Sequence, residues 1–210
     1  YAAIAFYGEP SMENENISNR LNEKQGQILL KLARKTISEE LGIKSKQEQI
    51  SPSSDLEEKS LQRRSGTFVT LKINKQLRGC IGTLEASGPI IEGVKRNAIN
   101  AAFNDYRFSP LTAKEFAKVE IEISILSEPE PLEYKDSNDL IKKLRPHVDG
   151  VIIRKGHASA TFLPQVWEQL TRPEDFLSHL CAKAGLPSDS WKNSKLEVLT
   201  YNVQYFEEEK

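Results

Sequence analysis

The densest chemistry in the sequence lies in Leu77-Arg78-Gly79-Cys80-Ile81-Gly82-Thr83. Read as a strand, its side chains alternate, so Leu77 and Ile81 point to one face while Arg78, Cys80 and Gly82 point to the other. A guanidinium beside a thiol favours the thiolate, the form that serves as nucleophile or covalent anchor. Gly79 and Gly82 would leave the backbone open to a ligand. The structural alternative is a small core cysteine, with glycines that accommodate a bulge or a close crossing. A second window, Asn104-Asp105-Tyr106-Arg107-Phe108-Ser109-Pro110-Leu111, leaves a helix and ends in a proline-stiffened loop. Asp105 can accept from backbone amides or pair with an arginine, and Arg107 can hold a carboxylate or phosphate in a two-pronged fork. The same two residues could instead pair with each other and fix the loop. Cys80 is therefore the catalytic candidate, and Arg78, Gly79, Gly82, Asp105 and Arg107 are the candidates for holding a small anionic ligand.

Little else in the chain competes. His147 and His157 stand in different elements from His179; His157 reads as a solvated turn residue and His179 as structural, on a helix with Phe176 and Leu180. No Cys–His dyad can be read from spacing, because such partners meet in space. Cys80 and Cys181 form no C-x-x-C, so no metal site and no cofactor is assigned. Two widely separated thiols suit a reducing, cytoplasmic setting. With 29 Lys and Arg against 30 Asp and Glu, the chain is not polybasic. It lacks the aromatics interleaved with a dense basic stripe that a nucleic-acid face needs, which leaves nucleic acid the weakest partner. An excess of positive charge over residues 24–96, against a negative remainder, could favour an anion near the first hairpin or simply mark two solvated surfaces. No run approaches the ~18 apolar residues of a membrane span.

The elements that must position these groups follow from periodicity. The 210 residues, 38% hydrophobic, suffice for one sizeable core or two small lobes. Residues 1–7 read as an apolar strand, either the end of a preceding segment or an edge strand of the main domain, and 8–20 as a linker. Asn22 and Gln25 have capping-box spacing before Ile28, Leu29, Leu32, Ala33, Ile37 and Leu41, and Gly42 stops that helix. Residues 44–65 read as a charged, mobile insertion. Residues 67–73 and 77–83 form a hairpin about Asn74-Lys75-Gln76. Pro89 opens a helix with Ile91, Val94, Ala98, Ala101 and Ala102 on one side. In residues 119–126, Val119, Ile121, Ile123 and Ile125 alternate with Glu120, Glu122 and Ser124, which predicts one buried and one wet face, with Pro129 and Pro131 ending the strand. A short helix capped by Asp136, a second hairpin about Lys155-Gly156-His157, helix starts at Pro164 and Pro173, and one last strand over residues 196–206 complete the reading. Strand pairs among separate helices indicate an α+β fold.

The 77–83 string, with Gly66-Thr67-Phe68-Val69-Thr70-Leu71 before it, resembles the signature of the AMMECR family. The resemblance continues through Asp105 to Leu111, residues 119–126, Gly150-Val151, Phe162-Leu163-Pro164-Gln165-Val166 and Lys183-Ala184-Gly185-Leu186. It covers residues 21–206 and departs at Tyr106, where many relatives carry proline, and in residues 44–65. It implies an α+β fold of two unequal lobes, with a mixed or antiparallel sheet flanked by helices and the Arg78–Gly82 motif near the groove between them. It also implies partners: a Memo-like protein or domain and a radical SAM protein. Residues 1–7 resemble the terminal strand of Memo-like proteins, so the chain reads as the back part of a Memo–AMMECR fusion, with residues 21–210 as the AMMECR domain. The family resemblance supplies no reaction. It leaves open a ligand-binding or catalytic groove and, as the alternative, a non-catalytic interaction module or, less favoured, a nucleic-acid-associated regulatory protein.

Overall fold

The computed structural model describes residues 20–43 and 58–208. The expected remnant over residues 1–7, all but the last residue of the linker over 8–20 and most of the charged insertion lie outside the described residues.

Helix α1 (Glu23–Glu40) starts where expected: Asn22 accepts from the Gln25 backbone while the Gln25 side chain accepts from the Asn22 backbone. It stops at Gly42, whose φ of +67° few other residues tolerate. The end of the supposed insertion is anchored rather than free. Its short helix α2 (Lys59–Gln62) buries Leu61 completely, and Arg64 bridges to Pro89. Strands β1 (Thr67–Ile73) and β2 (Gln76–Thr83) form the first hairpin, and Asn74 and Lys75 both take positive φ, as a two-residue turn that follows the strand twist requires. Then come α3 (Ile90–Phe103), α4 (Ala113–Phe116), β3 (Glu120–Leu126) and β4 (Glu130–Pro131). Pro131 joins a two-residue edge strand instead of merely ending one, a place where its missing N–H costs nothing.

The second half contains α5 (Ser137–Lys143), β5 (Gly150–Lys155), β6 (Ala158–Phe162), a 3-10 turn (Pro164–Glu168), α6 (Pro173–Lys183), α7 (Ser190–Asn193), β7 (Glu197–Tyr201) and β8 (Val203–Glu207). The single strand expected over residues 196–206 is thus two strands in two different sheets. At Asn202 the chain leaves one sheet for the other, and hydrophobic alternation continues across the break because both flanks are buried.

The two sheets, ordered β2-β1-β3-β8 and β4-β7-β5-β6, are antiparallel throughout, and helices flank both. On the first sheet Val69, Leu71, Ile121, Ile123, Ile125 and Phe206 face α1 and α3 in the larger core. On the second, Val151, Ile153 and Val198 pack with Phe176, Leu180 and the two tryptophans. Trp167 and Trp191 are buried in this core, and Trp167 stacks on Phe176 at 3.7 Å between ring centroids. The chain crosses between lobes after β3 and again at Asn202, and the crossings are tied together. The Ser127 amide donates to the Asn202 carbonyl, and the Asn202 amide donates to Ser127 Oγ.

Leu126, Ile152, Leu199 and Tyr201 join the lobes through a third apolar cluster, against which Phe68 and Leu84 pack. The outward side of the first sheet is therefore covered at one end by the second lobe. The expected wet face of β3 is corrected: Ser124, in the row nearer the second lobe, is buried, and so is Glu122 in the row farther from it.

Candidate functional site

The outward side chains of the first sheet fall into rows fixed by register. Cys80 stands opposite Thr70, Thr70 opposite Glu122, and Glu122 opposite Glu207, one residue from each of the four strands. The next row on the same side is Gly82, Phe68, Ser124 and Tyr205. Strand spacing places neighbours in a row about 4.8 Å apart. Beyond Phe68 the surface runs into a cavity of about 520 Å³ between the lobes, lined by Gly66, Leu84, Leu126, Ile152, Arg154 and Lys183 among others. Cys80 lies outside it, on the polar side of Phe68.

Arg78 and Cys80 do not share the face as alternation would have it. Leu71 pairs with Gly79 but Lys72 pairs with Leu77, so Arg78 is the extra residue of a bulge. Its guanidinium turns to Glu115, donating from Nε at 2.9 Å, and to the Ser109 carbonyl, and it lies 5.8 Å from the centre of the Phe108 ring. Arg78, with backbone and hydroxyl donors of Thr112, holds the Glu115 carboxyl down to about 2.

The positive charge acting on Cys80 comes from Arg107. That guanidinium grips Asp105 through two donors, Nε to Oδ1 at 2.9 Å and NH2 to Oδ2 at 2.7 Å, and also donates to the Cys80 carbonyl. Asp105 in turn accepts from the Cys80 amide at 2.9 Å. Strand β2 is a sheet edge, so this pair satisfies both backbone groups of Cys80 that would otherwise be open to another chain. Hydrogen bonds from Arg107, then from the Cys80 and Arg107 amides, hold the Asp105 carboxyl well below the usual range against a burial that opposes it. Both expected roles of Asp105 are present, and the carboxylate in the fork of Arg107 is the protein's own.

Cys80 itself is half-buried, and its sulfur accepts from Thr70 Oγ1 at 3.2 Å. Burial pushes its thiol up; the Thr70 hydrogen bond and Arg107 only partly offset that, while Glu122 and Asp105 add to it. The expected poised thiolate is therefore replaced by a neutral thiol. Nor do the glycines open a path to the backbone. A Cβ on Gly79 would sit 2.1 Å from the Ala101 carbonyl of α3, and one on Gly82 would meet the Phe68 ring at 2.2 Å. Both absences are filled by the protein's own packing.

Three residues of the row escaped sequence reasoning. Thr70 looks like an ordinary strand residue, Glu122 like a wet one and Glu207 like a terminal charge; only the pairing register brings them to Cys80. Lys72 joins them, donating to Glu122 at 2.7 Å and to Glu207 at 3.2 Å. The histidines contribute nothing here: all three are exposed, His179 included, contrary to its expected structural place. Tyr106 projects almost wholly into solvent. No group of three or more His, Cys, Asp or Glu among the described residues is arranged to hold a metal ion, and no described helix is long and apolar enough to cross a membrane.

Two antiparallel sheets in unequal helical lobes, with a cysteine on a glycine-flanked edge strand between an aspartate and an arginine, define a two-lobed α+β domain. The AMMECR1 family profile matches residues 30–206, and the chain belongs to that family. Among its relatives, a protein of Thermofilum pendens is 37% identical over 204 residues, covering 90% of this chain and 92% of its own. One from Methanothermobacter thermautotrophicus is 38% identical over 195 residues, 90% and 97% of the two chains. The crystal structure of an uncharacterized protein from Pyrococcus horikoshii superposes with a TM-score of 0.75 at 34% identity, covering 90% of this chain and 94% of that one.

Proposed function

We propose that this AMMECR1-family protein works through a ligand-binding or catalytic groove built on the 77–83 motif, as the cytoplasmic member of a system with a Memo-like protein or domain and a radical SAM protein. One observation carries the groove: Cys80 is half-exposed on the outward sheet face, in register with Thr70 and Glu122, while Asp105 and Arg107 hold its backbone from the edge. A group whose amide and carbonyl are both fixed by an ion pair with a buried carboxylate has a position, and positioning is what binding and catalysis require. The partners rest on the family resemblance and on residues 1–7. Arg78 and Arg107 each hold a carboxylate of the protein itself, Glu115 and Asp105, so an anionic ligand would have to share guanidiniums that are already paired.

In the intact operon, Cys80→Ala is expected to reproduce the phenotype of deleting the gene, with melting temperature and co-purification of the Memo-like and radical SAM partners unchanged. A Cys80→Ala strain that behaves as wild type refutes the groove and favours the second reading, a non-catalytic docking module. That reading draws on the exposed Tyr106 and on Leu77, which is 45% exposed beside the motif.

A further inference from the structure

Glu122 is out of place for a passive residue. It sits on an inner strand with only 7% of its surface exposed, opposite Glu207, and like charges directly opposite on a sheet repel. Lys72 bridges the two carboxyls, yet one ammonium cannot neutralise both. We propose that Glu122 and Glu207 share one proton and form the hydrogen-bond donor of the Cys80 site, offering that proton as a hydrogen bond to a neutral ligand with an acceptor, such as a carbonyl or amide. This rests on the groove reading above and deepens it.

Every neighbour fits. Burial raises Glu122 and the facing Glu207 carboxyl raises it further, while Lys72 opposes both; Glu207 is lowered, by Glu122 and by Lys72. Two ionised carboxyls gathered on one ammonium, one of them buried, repel each other, and a single shared proton removes that repulsion. From β1 the group faces Lys72 and the Thr70 hydroxyl, and from β2 the Cys80 thiol. Asp105 and Arg107 act on that thiol from the edge loop. On β8, Tyr205 is pushed up to about 12 by burial, with Glu122 and Glu168 adding to the effect, so it stays a neutral phenol beside the pair. Glu120, two residues before Glu122, points to the same side of β3. A phosphate or carboxylate ligand would approach Glu207 with both nearby guanidiniums engaged; a neutral acceptor meets no such repulsion.

The test is the rate at which N-ethylmaleimide modifies Cys80 in the full chain between pH 5.5 and 9, read by peptide mass spectrometry in wild type and Glu122→Gln. An ionised Glu122 raises the thiol's proton affinity and slows modification. The variant-to-wild-type ratio is therefore expected to climb from one to about threefold as Glu122 loses its proton, above the ordinary glutamate range. A ratio constant over the whole range overturns the proposal, since it means that Glu122 never titrates there. If the variant does not fold, ¹³C carboxyl spectra of wild type decide: a glutamate titrating above about pH 5.5 supports the shared proton, and none overturns it. For the ligand class, iodoacetamide is expected to outrun iodoacetate at Cys80 by about fivefold more than at glutathione, and equal preferences overturn it. A Cys80 that no reagent reaches at any pH refutes the groove, while the carboxyl spectra still judge the proton.

Discussion

Replacing Asp105 by asparagine is expected to lower stability by about 3 kcal/mol at pH 7, a fall in melting temperature of roughly 6–12 °C for a chain of this size. The change is nearly isosteric, so packing is kept and the chemistry is isolated. An asparagine can still accept from the Cys80 amide, but its NH₂ group then faces the Arg107 donors, and the bidentate pair is lost. Asp105 has 1% of its side chain exposed and Arg107 43%, so the stranded guanidinium recovers part of its hydration. That keeps the cost toward the lower part of the range for breaking a buried pair. The pH dependence has a definite sign. Because the folded carboxyl titrates below its unfolded value, its contribution is complete above about pH 5 and fades as pH falls below about 4. The gap between wild type and Asp105→Asn should accordingly be constant at neutral pH and narrow in acid. Thermal melts at pH 7 and pH 3 check this, and a variant within 2 °C of wild type at pH 7 would mean that the pair does not hold the edge.

The second large effect belongs to Gly79. Its absent Cβ is the space into which α3 brings the Ala101 carbonyl, 2.1 Å from where that atom would be. Backbone cannot swing aside as a side chain can, so Gly79→Ala must push β2 from α3, at a cost of about 2–4 kcal/mol. Because Cys80 is the next residue, the shift also disturbs its bonds to Asp105 and Arg107. Gly88→Ala serves as control, for nothing lies within 4 Å of its built Cβ, and it should change stability by less than about 0.5 kcal/mol. Urea denaturation of both variants reads the difference; equal midpoints would contradict the tight β2–α3 contact.

What was legible in the sequence was local. The capping box of Asn22 and Gln25 and the stop at Gly42 depend on residues a few positions apart and occur as read, and the hairpin about Asn74-Lys75-Gln76 forms with Gln76 already in the second strand. So does the family motif, whose order along the chain survives any fold. Register is a different matter. Whether Arg78 shares a face with Cys80 is decided by Leu71 and Lys72 on the neighbouring strand, and a bulge there cannot be seen in β2 alone. Alternation likewise marked Glu122 as wet, because polarity along one strand does not report that a second lobe and long side chains cover the face. The change of sheet at Asn202 was hidden for the related reason that both sides of the break are apolar. Sequence reasoning found the cysteine and its aspartate and arginine. The carboxyls and hydroxyl that share its row are assembled only by pairing.

The most direct measurement is native-state alkylation of the two cysteines by iodoacetamide at pH 9, followed by mass spectrometry over time. Cys80, half-exposed on the open end of the sheet, should be modified in the folded protein, whereas Cys181, sealed in the second core, should react only once the chain is unfolded. Should Cys80 prove as protected as Cys181, the outward face is closed and no site exists there.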